Sequence, residues 1–180
     1  MPKNWVEFSL GHMRDDSLFI PAIAIFAVII GFVTWPFIAI FIHEIGHALA
    51  AKLVGLAPAQ LIIGHPDETD PLFSFRAFGC SVECWPIPFG GATIFVPPPT
   101  DPFKTFIVAL GGPVFDVLVI LICLLWWQHT FLRLGLAGII LSQAVNALRN
   151  LAPVSAVYDG VSVPSDGKVI LQLLARKRQT

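Results

Sequence analysis

The stretch "FIAIFIHEIGHALAAK", Phe37 to Lys52, places two histidines and a glutamate inside an otherwise apolar run. His43 and His47 are four residues apart, so a helix would put both imidazoles on one face, one turn apart. Glu44 would follow about 100° further round the helix. In this H-E-x-x-H arrangement two imidazoles bind zinc and the glutamate acts as general base. With this chain's composition, chance matches to the pattern number on the order of 0.003.

The composition around the motif indicates a membrane protein. Of the 180 residues 56% are hydrophobic and only 13% are charged, and the mean hydropathy is +0.77. A soluble domain carries about 25% charged residues. We therefore expect the lipid bilayer as a partner. The net charge of −1 gives no basic field, so we expect no nucleic-acid partner.

The apolar segments predict four membrane spans. Leu18 to Leu53 would make one helix of roughly 54 Å, against about 30 Å of hydrocarbon. We therefore predict two spans here with a break at Pro36, which cannot continue the hydrogen-bond ladder. A single tilted and kinked helix is the alternative. With the two later apolar segments, the predicted spans are about 18–34, 36–53, 106–127 and 131–149.

Lysine and arginine indicate the orientation, because cytoplasmic loops carry an excess of both. With four spans, ten of the 11 Lys and Arg residues fall on one side and only Arg133 on the other. The single-helix alternative moves only Lys3 and Arg14 across. Lys52 lies roughly 7.5 Å beyond His47 along a helix. We therefore expect a multi-pass protein of the cell (inner) membrane, with the motif near its cytoplasmic face.

The segments between and after these spans have a different character. Within about 58–97, "LFSFRAF" (72–78) and "SVECWPIPF" (81–89) are typical of short strands, bounded by Gly79, Gly90–Gly91 and prolines. The tail, 150–178, reads as a loop followed by a short amphipathic helix. We see no disulfide framework in the three cysteines.

Four elements in this order resemble the site-2 protease family of intramembrane zinc metalloproteases. One is the H-E-x-x-H motif at the cytoplasmic end of a span. "PFGG" at 88–91 resembles the end of the family's membrane-associated β-hairpin region. "GGPVFDVL" resembles its Gly-Pro-x-x-Asn, with Asp116 at the Asn position. "NLAPVSAVYDGVSVPSDG" resembles the Asn-x-x-Pro…Asp-Gly segment that supplies the third zinc ligand.

The resemblance extends over about residues 35–175 and implies a fold. We expect an α-helical integral membrane protein with about four transmembrane helices. A short membrane-associated β-hairpin region would lie between the second and third. Residues 1–180 would form a single metalloprotease domain, a small form without an extra regulatory domain.

The third zinc ligand has two candidates, because the tail holds two Asp-Gly pairs. Asp159 lies nine residues after Asn150, close to the spacing of the family's compact form. Asp166 opens the apolar run in "PSDGKVILQLL", as in the longer-looped form. We favour Asp166, since the first turn of a helix would hold its backbone rigidly, whereas Asp159-Gly160 fits an ordinary turn equally well. The resemblance also makes Asn150 a candidate to hold the substrate backbone.

Together these features predict an intramembrane zinc endopeptidase with one catalytic Zn²⁺. His43, His47 and Asp166 would bind the ion, and Glu44 would be the catalytic base and acid. The substrate would be a membrane protein cut in or near a transmembrane segment, with regulated intramembrane proteolysis as the implied setting. Since the cleaved segment must unwind, the strands at 72–78 or 81–89 could pair with it along an edge.

Two other functions stay open. A non-proteolytic membrane scaffold or chaperone on the same fold is the main alternative, because Asp116 departs from the family's asparagine. Such a scaffold would not need Glu44. A zinc transporter or sensor would need further carboxylates or histidines along a membrane path, and only Asp116 qualifies.

Overall fold

The computed structural model describes residues 16–66, 70–129, 133–158 and 161–177. The described residues form four α-helices: α1 (Asp16–Leu53), α2 (Pro102–Trp126), α3 (Arg133–Leu151) and α4 (Asp166–Lys177). They also form six strands: β1 (Gln60–His65), β2 (Phe73–Ala77), β3 (Cys80–Cys84), β4 (Ile87–Ile94), β5 (Ser155–Tyr158) and β6 (Val161–Pro164). The chain divides into two compact units, Met1–Thr34 and Trp35–Thr180. The H-E-x-x-H motif, all six strands and the helices α2 to α4 lie in the second unit.

The first helix differs from the prediction. α1 is continuous over 38 residues, so the expected break at Pro36 does not occur. Proline removes one backbone donor, but helices in an apolar environment tolerate it when neighbouring groups satisfy the freed carbonyl. The alternative of one long helix therefore describes α1 better than two helices joined by a turn.

Two described helical segments are long and apolar enough to cross a membrane. They are Thr34–Leu53, within α1, and Pro102–Trp126, which is α2. α2 begins four residues earlier than the predicted span, because Asp101 accepts hydrogen bonds from the backbone N–H groups of Phe103 and Lys104 and Pro102 occupies the first turn. The spans at 18–34 and 131–149 stay predictions.

The region between α1 and α2 is a four-stranded mixed sheet in the order β2-β3-β1-β4. β2 and β3 form an antiparallel hairpin whose turn residues, Phe78 and Gly79, both have positive φ. β1 runs parallel to β3 and antiparallel to β4. The β2–β3 hairpin is therefore half of a larger sheet, and the membrane association of this region stays a prediction.

Two of the predicted strand boundaries are wrong. The strand expected at 81–89 is divided between β3 and β4, because Pro86 cannot donate to a ladder at the point where the chain changes partners. Gly90–Gly91, expected to end a strand, lies inside β4. The strand expected at 72–78 corresponds to β2.

The sheet packs on α1 through its two central strands. Leu61, Ile63 and Val82 are buried against a cluster that includes Ile40 and Ala48 of α1. β2 and β4 form the two edges. This packing puts β4 beside the part of α1 that carries the H-E-x-x-H motif.

Close backbone contact joins α1 to α2. A Cβ atom added at Gly46 would collide with the backbone of Gly111, and one added at Gly111 would collide with the backbone of Gly46. Small residues allow this approach, which is typical of membrane helix pairs. The histidine face of α1 is therefore held directly against α2.

The tail is more regular than the predicted loop. β5 and β6 form an antiparallel pair, and the amphipathic helix follows as α4. Ser165 satisfies the start of α4, since its Oγ donates to the carbonyl of Ala152 and accepts from the N–H of Lys168. Gly167 lies directly on the carbonyl of Leu151, where a Cβ has no room. The start of α4 is thus fixed to the end of α3.

Candidate metal centre

Three ligand-type atoms converge where α1 and α4 meet. His43 Nε2 lies 3.1 Å from His47 Nε2. Asp166 Oδ2 lies 3.1 Å from His43 Nε2 and 3.3 Å from His47 Nε2. Tetrahedral zinc with bonds of about 2.0–2.1 Å holds its ligand atoms about 3.3 Å apart. The spacing of these three atoms therefore fits one zinc ion.

The other ring nitrogens of both histidines have hydrogen-bond acceptors. His47 Nδ1–H donates to the carbonyl of Val108 at 2.7 Å. His43 Nδ1 is 2.7 Å from Asp116 Oδ2. A proton on each Nδ1 would leave both Nε2 lone pairs for an ion beside Asp166, which is the tautomer that a metal-binding histidine requires. Without an ion, a proton on Nε2 lets each ring donate to the Asp166 carboxylate instead.

Glu44 is buried next to the same space. Its Oε2 accepts a 2.7 Å hydrogen bond from Thr93 Oγ on β4. A Cβ at Gly91 would come within 2.7 Å of Glu44 Oε1, so the carboxylate occupies room that this glycine leaves. Glu44 can also bring a ligand atom within 4.8 Å of both histidines. Asp166 Oδ2 lies 3.1 and 3.3 Å from the two Nε2 atoms, whereas Glu44 Oε2 already accepts a hydrogen bond from Thr93, so the geometry favours Asp166 as the third donor.

Asp166 is set up as an anionic donor by its surroundings. It is the first residue of α4 and comes directly after the capping Ser165. Burial by itself would raise its pKa, but the hydrogen bonds with His43 and His47 outweigh burial and lower the pKa of Asp166 to about 2. The alternative third ligand, Asp159, lies outside the described residues.

Asn150 and Asp116 also belong to this neighbourhood. Asn150, at the end of α3, has its Nδ2 3.1 Å from His43 Nε2. Asp116, to which the sequence analysis assigned no role at the zinc site, contacts His43 at its other ring nitrogen, Nδ1. Sequence reasoning missed Thr93, and no pattern in the sequence could have found it, because its partner is 49 residues away.

A cleft opens onto the metal-type donors. It is lined by Gly91 and Thr93 of β4, by Val163 and Pro164 of β6, and by Asp166 at the start of α4. Glu44 and Asn150 both line it. An extended polypeptide segment lying in this cleft would pass next to Glu44 and Asn150.

Comparison with known proteins agrees with this geometry. The sequence profile of Peptidase family M50, the site-2 protease family, matches residues 26–174, which confirms the resemblance. No individual curated protein matches the chain. Peptidases of this family are zinc-dependent and membrane-bound, in accord with the His-Glu-His group and the two apolar helices. The chain therefore belongs to Peptidase family M50, the metallopeptidases of the site-2 protease type.

Proposed function

We propose that this chain is an intramembrane zinc endopeptidase that hydrolyses a peptide bond in or near a transmembrane segment of a membrane protein. The observation that carries the proposal is the convergence of three donor atoms beside a buried glutamate. His43 Nε2 and His47 Nε2 of the apolar helix α1 and Asp166 Oδ2 of α4 lie 3.1–3.3 Å apart. Burying such groups is costly in a membrane protein and is typical of a functional site.

His43, His47 and Asp166 would hold the ion. Gly112 of α2 favours this assignment, because a Cβ there would lie 2.6 Å from His47 Nε2 and would fill the space between the rings. A zinc ion bound by these residues would lower the pKa of a coordinated water to about 7 and polarise the scissile carbonyl.

Glu44 is proposed as general base and acid. Its carboxylate would accept a proton from the attacking water and pass that proton to the leaving amine nitrogen. The hydrogen bond from Thr93 would fix the carboxylate orientation, which supports Glu44 as a proton carrier rather than a fourth protein ligand.

Substrate binding is proposed along β4. Of the two strands expected to pair with substrate, β3 is internal, and β2 forms the edge on the far side of the sheet, about 14 Å from β4. β4 is the edge strand that lines the cleft. An unwound substrate segment needs partners for its backbone groups, and the outer edge of β4 can supply them. The Asn150 amide would hold a substrate carbonyl at the other side.

The setting of the reaction is proposed from charge. Lys52 ends the apolar part of α1 and its ammonium lies 5.9 Å from the Phe78 ring centroid, as expected at a membrane boundary. With the lysine and arginine bias, this favours a site near the cytoplasmic face of the cell membrane. Release of a cytoplasmic fragment there would suit a signalling role.

The test compares wild type, Glu44→Gln and Glu83→Gln. All three proteins are purified in detergent, analysed for zinc and mixed with a panel of single-span membrane proteins. We expect about one zinc in each and cleavage by wild type and Glu83→Gln, with loss of at least about 100-fold in Glu44→Gln. Zinc binding without cleavage by any of them would favour the scaffold or chaperone alternative. Absence of zinc from wild type would overturn the metal assignment.

A further inference from the structure

Asp116 is a carboxylate enclosed completely by the helix bundle. Its side chain is 0% exposed. One oxygen, Oδ2, lies 2.7 Å from His43 Nδ1. The other, Oδ1, accepts from Gln143 Nε2 at 2.5 Å and from Asn146 Nδ2 at 3.3 Å, both on α3. A single side chain on α2 is thus bonded to both neighbouring helices.

We propose that Asp116 is a positioning residue for the zinc site, acting through His43. This inference rests on the proposed function. By accepting the Nδ1–H bond, the carboxylate fixes the ring tautomer and rotation that present Nε2 to the ion. Its negative charge strengthens His43 as a ligand more than a neutral acceptor would. Outer carboxylates of this kind typically change metal affinity about 10–100-fold.

The charge is the property that distinguishes this chain from the family pattern. The family's Gly-Pro-x-x-Asn motif has asparagine at this position, and the asparagine side chain offers one neutral oxygen instead of the two charged oxygens of a carboxylate. An amide could still accept from His43 Nδ1–H. The geometric part of the role would then survive, and only the electrostatic part would be lost.

The surroundings allow the two parts to be separated experimentally. Among the described residues, the buried Oε1 of Gln143 has no hydrogen-bond partner. In Asp116→Asn the new amide nitrogen would face Gln143, and a 180° turn of the Gln143 amide would give that nitrogen an acceptor. The link from α2 to Gln143 would therefore persist, and Asn146 Nδ2 would keep its 3.4 Å contact with the remaining oxygen at the Oδ2 position. Asp116→Ala, by contrast, leaves His43 Nδ1 and Gln143 Nε2 unbonded in a buried site.

The experiment measures zinc affinity by chelator competition and the thermal stability of the metal-free protein, for wild type and three variants. They are Asp116→Asn, Asp116→Ala and the matched control Asp101→Asn, an identical change at the exposed N-cap of α2. We expect the zinc Kd to rise about 10–100-fold in Asp116→Asn. Its Tm without metal should stay within about 2 °C of wild type. Asp101→Asn should bind zinc like wild type, and Asp116→Ala should lose both affinity and stability.

Rescue by zinc adds a readout that a purely structural role would not move. Cleavage by Asp116→Asn should be restored when free zinc is raised about 100-fold. An unchanged Kd in Asp116→Asn would overturn the inference while leaving the zinc site intact. A loss of zinc affinity in Asp116→Asn that is accompanied by a lower Tm of the metal-free protein would also overturn it. Failure of wild type to bind zinc would overturn the proposed function, and the role of Asp116 with it.

Discussion

Replacing Gly112 with alanine would put one methyl group between the two histidines of the proposed zinc site. The added Cβ would lie 2.6 Å from His47 Nε2 and closer still to His43 Nε2, whereas ordinary van der Waals contact begins at 3.4 Å. Both rings must therefore retreat by about 0.8 Å or more. They cannot do so easily, because each Nδ1 is held by a 2.7 Å hydrogen bond.

The size of the effect follows from the tolerance of metal sites. Zinc–ligand distances vary by only about 0.2 Å, and functional geometry by about 0.5 Å. We therefore expect zinc affinity to fall at least about 100-fold, or about 2.7 kcal/mol. The fold should lose less. Alanine gains up to about 1 kcal/mol over glycine inside a helix, which partly offsets an overpacking cost of about 1–3 kcal/mol.

The assay measures the zinc Kd, the cleavage rate and the Tm of Gly112→Ala beside those of Gly138→Ala. Gly138 lies in α3, and a Cβ there would meet nothing within 4 Å. The control should therefore keep zinc and cleavage, with stability unchanged or slightly raised. If Gly112→Ala binds zinc and cuts like wild type, the ion does not sit between His43 and His47 and the geometric reasoning is refuted.

Two further predictions concern Thr93 and Asp166. Thr93→Val keeps the shape but removes the hydrogen bond to Glu44, so cleavage should fall about 10-fold while zinc content stays constant; equal kcat values would show that Glu44 needs no such support. In the metal-free protein, Asp166→Asn should lower the free energy of unfolding by about 2 kcal/mol near neutral pH. The difference should shrink as the pH falls from about 4 to about 2. The pKa of Asp166 is lowered to about 2 in the folded protein, so its ionised carboxylate stabilises the fold at pH values above the unfolded pKa. That stabilisation is lost as the pH falls to the folded pKa and the carboxylate becomes protonated. Denaturation curves at several pH values measure it, and a difference that does not change with pH would contradict the ionised role of Asp166.

The parts of the structure that follow from short-range pattern were predictable. The two histidines share a face because they are four residues apart, and α2 follows from an apolar run with a capping Asp101. The family resemblance rested on the same local motifs and is confirmed. Local information therefore sufficed for the element that carries the histidines and for the class of protein.

The parts that depend on distant pairing were not predictable. The local penalty at Pro36 suggested a break, yet α1 continues through it. Strand boundaries in β3 and β4 depend on β1, which separates them in the sheet and lies earlier in the chain. The contact between Asp116 and His43 joins residues 73 positions apart. A lone buried carboxylate in a span indicates a function, but only the fold identifies its partner.

The proposed mechanism makes β4 both a support for catalysis and a template for substrate. Thr93 and Gly91 are two residues apart, so they face the same side of the strand, where one bonds Glu44 and the other leaves room for it. On one edge β4 pairs with β1, in a register that includes Leu61 opposite Thr93. Among the described strands its other edge has no partner, and Gly91, Ala92 and Thr93 line the cleft. A substrate strand added there would lie about 4.8 Å from β4, with its backbone aligned to the strand that orients the proton-accepting carboxylate. Recognition by backbone pairing would then bring a peptide bond to Glu44 without demanding a particular side-chain sequence, which fits an enzyme whose first requirement is an unwound segment.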